Sequence, residues 1–105
     1  KGSLERYRDL IYIDDVVEAW YKVLFSSKIN HTFNVGTGTK TTFKDLIMSI
    51  ANCLKINDLE IIESESTPGD VKGCFADISK LKSLTGFEPK YNLKQGLNEM
   101  IKFYL

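Results

Sequence analysis

The sequence predicts a small α/β unit, because short β-branched runs alternate along it with stretches whose apolar residues recur every three or four positions. Residues suited to capping helices stand before several of those periodic stretches. The strands are few and short, too few for a free-standing doubly wound sheet, and about four helices are expected.

Taken in order, residues 1–9 are polar and charged (Lys1, Glu5, Arg6, Arg8, Asp9) and read as a loop or an extended entry. Leu10, Ile11, Tyr12 and Ile13 form an apolar, partly β-branched run that predicts a first strand, stopped by Asp14 and Asp15. Asp15, with Glu18 three residues on, has the form of a capped helix start. A helix over 15–26 follows. Val16, Trp20 and Val23 share its face, with Val17, Leu24 and Phe25 widening it, and Ser26, Ser27 and Asn30 end it. Thr32, Phe33, Asn34 and Val35 predict a second strand, and Gly36-Thr37-Gly38-Thr39 a turn.

Thr42 with Asp45 forms a second capping pair, ahead of the cleanest helical pattern in the chain: Phe43, Leu46, Ile47, Ile50 and Leu54 over 43–54. Residues 59–62 read as a third strand and 63–70, with Pro68-Gly69, as a loop. Cys74, Phe75 and Ala76 suit a brief strand. Asp77 then caps a short helix carrying Ile78, Leu81 and Leu84, ended by Gly86 and Pro89. Asn92 with Gln95 caps the last helix, whose expected buried stripe is Leu93, Leu97, Met100, Ile101 and Tyr104. Gly96 lies inside that helix at a cost of about 1 kcal/mol relative to Ala.

Charge and composition narrow the functions. The 105 residues suit one domain. Fourteen basic residues balance 14 acidic ones, which speaks against a general nucleic-acid binder. No apolar run approaches the roughly 20 residues of a membrane span. No signal peptide opens the chain, and a cytoplasmic protein is expected. Cys53 and Cys74 read as free thiols. With a single His they give too few ligands for a thiol-based zinc site, and no metal is expected. The chain opens on Lys1 rather than Met, which reads as a fragment or a processed product.

Few residues suit chemistry. His31 sits in a polar connection and reads as a surface residue, with no GxSxG elbow to serve. Asp14 and Asp15 are adjacent and point in different directions, so capping suits Asp15 better than acid–base work. Glu60, Glu63 and Glu65 read as a solvated face. The Gly36-Thr37-Gly38 turn invites a phosphate-loop reading, since a helix follows. GxGxxG would need glycine at Thr41 and no GxxxxGK[ST] occurs, so a structural strand-to-helix turn is the reading adopted. Arg8 is one of two arginines and stands just before a strand. Its guanidinium fork suits either a bound phosphate or carboxylate, or a structural salt bridge.

The run Arg8-Asp9-Leu10-Ile11-Tyr12-Ile13-Asp14-Asp15-Val16-Val17-Glu18-Ala19 resembles a hallmark segment of the extended short-chain dehydrogenases, the NAD-dependent nucleotide-sugar epimerase/dehydratase family. Phe33-Asn34-Val35-Gly36-Thr37-Gly38, with Thr42 opening the next helix, is similar to that family's following strand, turn and helix. Pro68-Gly69-Asp70-Val71, then Ala76-Asp77-Ile78-Ser79-Lys80, then Leu84-Thr85-Gly86-Phe87-Glu88-Pro89, resembles its C-terminal signature. The resemblance covers nearly the whole chain but only the last third of such an enzyme.

It implies that residues 1–105 are the C-terminal substrate-binding segment of an extended short-chain dehydrogenase fold, with the N-terminal Rossmann domain mostly absent. NAD would be bound by that missing domain. The family's Tyr with a Lys four residues later does not occur here; Tyr91 and Lys94 are three apart. The segment by itself is therefore expected to be inactive, with no catalytic and no cofactor-binding residue.

Its implied part is to hold the diphosphate of a nucleotide sugar for a UDP-glucose 4-epimerase-like enzyme. A nucleotide-sugar 4,6-dehydratase and a non-catalytic protein-binding module are the alternatives. Arg8 matches the family's diphosphate-contacting arginine, and Asp70 an acidic residue near the ribose or base. Many relatives carry an arginine where Thr67 stands here; either the diphosphate is held more weakly, or another cation such as Lys72 compensates, or the substrate differs. The implied partners are the nucleotide-diphosphate sugar and the chain's own Rossmann domain, with a homodimer left open and neither nucleic acid nor membrane.

Overall fold

The computed structural model describes residues 4–26, 30–58, 60 and 72–104. In chain order these contain β1 (Tyr7–Arg8), α1 (Ile13–Leu24), β2 (Thr41–Thr42), α2 (Phe43–Cys53), α3 (Ser79–Thr85) and α4 (Leu93–Tyr104). The α/β class and the four helices agree with the sequence. The strands do not fall where its apolar runs lie. β1 and β2 pair antiparallel, Tyr7 opposite Thr42 and Arg8 opposite Thr41. Gly73 joins Tyr7 through a parallel bridge.

Residues 10–13 are not a strand. Ile13 already belongs to α1, which starts two residues earlier than the expected cap at Asp15. Tyr12 is the N-cap, extended at φ −72° and ψ 144°, with no side-chain capping bond. The apolar run packs instead of pairing. Ile11 lies against the core of Ala19, Leu81 and Phe87, and the Tyr12 ring sits 4.6 Å from that of Tyr91. Asp15 corrects its own assignment: only 1% exposed, its carboxylate turns from the helix end to accept from the backbone N–H groups of Lys90 (3.1 and 3.2 Å) and Tyr91 (3.0 Å).

Residues 32–35 are likewise not a strand. Phe33 and Val35 pack against the same core, but their backbone meets no neighbouring strand among the described residues. Residues 74–76 form none either, and the Ala76 N–H bonds to the Asp9 carboxylate. The third expected strand, over 59–62, lies outside the described residues apart from Glu60.

Local capping is as expected elsewhere. Thr42 Oγ1 accepts from the Asp45 N–H at 3.1 Å and starts α2. Asp77 differs: the N-cap of α3 is Ile78, with no side-chain capping bond, and Asp77, one residue earlier, accepts from the backbone N–H (3.0 Å) and hydroxyl (2.6 Å) of Ser79, where the helix opens. Asn92 and Gln95 bond reciprocally at 2.8 and 2.9 Å, each side chain accepting from the other's N–H. Gly86 ends α3 at φ +75°.

The interior of α4 differs from its expected stripe. Gly96 and Leu97 are buried, Leu93 and Ile101 half-buried, and Met100 and Tyr104 exposed. Gly96 earns its place by proximity: a Cβ there would stand 3.2 Å from Cβ of Tyr12.

Among the described residues the buried core is small: Ala19, Ala51, Ile78, Leu81, Phe87 and Leu97. On α1, Ile13, Val17, Trp20, Tyr21 and Leu24 follow one helical stripe and all are exposed. The molecule is a slab of 50 × 38 × 17 Å with a radius of gyration of 16.3 Å, against about 13 Å for a compact 100-residue domain. No helix among the described residues is long and apolar enough to cross a membrane.

Candidate functional site

The candidate site is built on β1. Arg8 is half-buried and donates one bond from Nη1 to the Tyr7 carbonyl at 2.7 Å. Among the described residues no carboxylate pairs with it, and the nearest in sequence, that of Asp9, is occupied elsewhere. Four guanidinium N–H groups therefore carry no bond to a described residue.

Lys72 is brought to the same strand. Its carbonyl accepts from the Tyr7 N–H at 3.2 Å, and its side chain is exposed. Thr67 and Asp70, the other two expected contacts, lie outside the described residues. Sequence reasoning missed the rest of the neighbourhood. Lys40 Nζ stands 4.9 Å from the centroid of the Tyr7 ring, and the rings of Tyr7 and Phe75 are 6.4 Å apart. The signal available was Lys40's position just before β2, which shows only once Thr41 is known to pair with Arg8.

The glycine turn is explained by Asp9. Its carboxylate accepts from the N–H of Thr37 (3.0 and 3.1 Å), the Thr37 hydroxyl, the N–H of Gly38 (3.0 Å) and the N–H of Ala76 (3.1 Å). The N–H groups that an anion-binding turn would offer thus already hold an anion belonging to the chain. Gly36 is required by closeness: a Cβ there would lie 2.6 Å from Asp9 Oδ2 and 2.8 Å from Cβ of Ala76. Gly38 is required by its φ of +78°. Partial burial pushes the Asp9 carboxyl up, but the bonds from the Thr37 hydroxyl and from the N–H groups of Thr37, Ala76 and Gly38 outweigh it. The carboxyl is held below its ordinary 3.8.

His31 is exposed, its ring 6.0 Å from that of Phe33, as a surface residue would be. Cys53 and Cys74 are free thiols. Glu60 is exposed, and Glu63 and Glu65 lie outside the described residues.

Comparison with known proteins gives this geometry a context. The model of the family described as GDP-mannose 4,6 dehydratase matches residues 1–100. The ADP-L-glycero-D-manno-heptose-6-epimerase of Fusobacterium nucleatum is 28% identical over 96% of this chain and 33% of its own length. The dTDP-4-dehydro-6-deoxyglucose reductase of Escherichia coli is 32% identical over 96% of this chain and 32% of its own length. Among solved structures, the UDP-glucose 4-epimerase of Thermotoga maritima with UDP-glucose superposes with a TM-score of 0.86. It is 33% identical and covers 98% of this chain and 33% of that one. The chain therefore spans about a third of the length of the relatives it matches.

Proposed function

We propose, for a chain that belongs to the nucleotide-sugar epimerase/dehydratase family of extended short-chain dehydrogenases, that it grips the nucleotide diphosphate of a sugar substrate within a longer NAD-dependent enzyme. Residues 1–105 are the C-terminal substrate-binding segment of that enzyme.

Arg8 carries this reading. It is half-buried, fixed at one Nη by the Tyr7 carbonyl, and offers its remaining donors to an anion rather than to a described carboxylate. A fork held in that way binds a diphosphate with direction as well as charge. Lys72, on the segment bonded to Tyr7, supplies a second positive charge and offsets the neutral Thr67. Asp70 stands two residues before Lys72 in the sequence. Its carboxylate accepts from ribose hydroxyls or from the base. Thr67 adds one neutral hydrogen bond.

NAD would be held by an N-terminal Rossmann domain of the longer protein, where it would supply the hydride chemistry. The residues here do not fit it, since the Thr37 and Gly38 N–H groups are occupied by Asp9. The exposed stripe of α1, from Ile13 to Leu24, suits the covered side of such a domain.

Within the family a 4-epimerase is favoured by the likeness to the Thermotoga maritima enzyme. A 4,6-dehydratase is the second reading, favoured by the description of the matching family model. Titration calorimetry of the full-length protein with UDP-, dTDP-, GDP-, ADP- and CDP-sugars tests the proposal. Micromolar binding of one of them is expected, and binding of none contradicts it. Product analysis separates the readings: an inverted C4 for the epimerase, a 4-keto-6-deoxy sugar for the dehydratase.

A further inference from the structure

We infer that Asp9 is a positioning residue for the diphosphate grip: its carboxylate sets where the segment 72–76 lies beside Arg8. The inference rests on the nucleotide-sugar reading above and adds a residue to it that touches no substrate.

Segment 72–76 runs alongside residues 7–9 and is held at both ends. At one end the Tyr7 N–H bonds to the Lys72 carbonyl at 3.2 Å, and Gly73 bridges Tyr7. At the other the Ala76 N–H bonds to Asp9 Oδ2 at 3.1 Å. Arg8 stands between the two attachment points. Lys72 thus inherits its place from these contacts. Remove the Asp9 end, and among the described residues only the contacts at the Tyr7 end are left to hold the backbone of the segment.

The same carboxylate also holds the 37–38 turn, through the N–H groups of Thr37 and Gly38 and the Thr37 hydroxyl. That turn leads through Thr39 and Lys40 into β2, whose Thr41 pairs with Arg8. One side chain therefore ties together both flanks of the arginine. The contacts around it are close: a Cβ at Gly36 would strike Asp9 Oδ2 and Cβ of Ala76. This packing leaves the carboxylate little alternative placement, as a positioning role needs. Asp9 itself has no acceptor position left over for a ligand hydroxyl that would explain its arrangement better, since its two oxygens receive five bonds.

The test is a double-mutant cycle in the full-length protein, read by calorimetric Kd for the tightest-binding of UDP, dTDP, GDP, ADP and CDP. The variants are Asp9→Asn, Arg8→Ala and the pair. Asp9→Asn is expected to weaken binding about tenfold in the parent and less than about twofold when Arg8 is already Ala, because neighbours acting through one geometry are not additive. A loss of the same size in both backgrounds, or none in the parent, overturns the inference while leaving the nucleotide reading intact. If neither Arg8→Ala nor Asp70→Asn weakens binding, the nucleotide reading falls and this inference with it. Thr37→Val guards against misfolding of Asp9→Asn. It loosens the carboxylate through one hydroxyl, and is expected to weaken binding in the same Arg8-dependent way at an unchanged melting temperature; an Arg8-independent effect counts against the inference.

Discussion

Two aspartates hold distant parts of this chain together. Asp15 is buried and accepts from two backbone N–H groups, those of Lys90 and Tyr91. Truncation leaves both donors without a partner inside the protein, so Asp15→Ala is expected to destabilise by about 3 kcal/mol, measured by urea denaturation. Asp9 gives a pH dependence. Its folded-state carboxyl is held below 3.8, so its contribution to stability is fully present above that value and is lost as pH falls through the lower folded value. Acid titration of the melting temperature should show this loss, and Asp9→Asn should flatten it. Gly36→Ala should cost about 1–3 kcal/mol, by crowding that same carboxylate. Neither aspartate was legible as a staple in the sequence. Asp9 reaches partners 28 to 67 residues away and Asp15 partners 75 and 76 away. Residue type and local spacing show only what lies within a turn, and on that basis Asp15 looks like a cap.

Elements were legible where their determinants are local. The pairs Thr42 with Asp45 and Asn92 with Gln95 span three residues, and both start helices where the sequence places them. Strands were not legible, because a strand needs a partner. The apolar runs at 10–13 and 32–35 have strand-like composition but meet no neighbouring strand among the described residues, while polar Tyr7–Arg8 pairs with Thr41–Thr42. The end of α2 was half legible. Its close is a helix-terminating turn in which Ile56 N–H bonds to the Ala51 carbonyl at 2.9 Å and Lys55 N–H to that of Asn52 at 3.2 Å. Lys55 occupies the left-handed position, φ 60°, that glycine usually takes. Lys55→Gly removes that backbone strain and should stabilise the protein by about 1 kcal/mol, visible as a higher urea midpoint. A fall in the midpoint would show that the lysine side chain contributes more than its backbone costs.

At the scale of the molecule, the thin slab and the exposed stripe of α1 have one cause, a core too small to cover its own helices. Trp20 is 63% exposed and Leu24 75%. On a free surface, aspartate at either position would change stability by no more than about 0.5 kcal/mol. In the full-length protein, with the stripe covered as proposed, Trp20→Asp and Leu24→Asp should each lower the melting temperature by several degrees. Equal melting temperatures would mean that α1 faces water there too. The candidate site was legible only in part. Arg8 and Lys72 could be named from the sequence, but Lys40 and the Asp9 staple became visible only with the register of β1 against β2 and the bridge at Gly73. The account depends most on Arg8 as the anchor of a nucleotide diphosphate. The direct measurement is the calorimetric Kd of the full-length protein for its nucleoside diphosphate, parent against Arg8→Ala. Loss of charge-assisted hydrogen bonds predicts a weakening of about 10- to 100-fold with the protein still folded; an unchanged Kd would contradict the account.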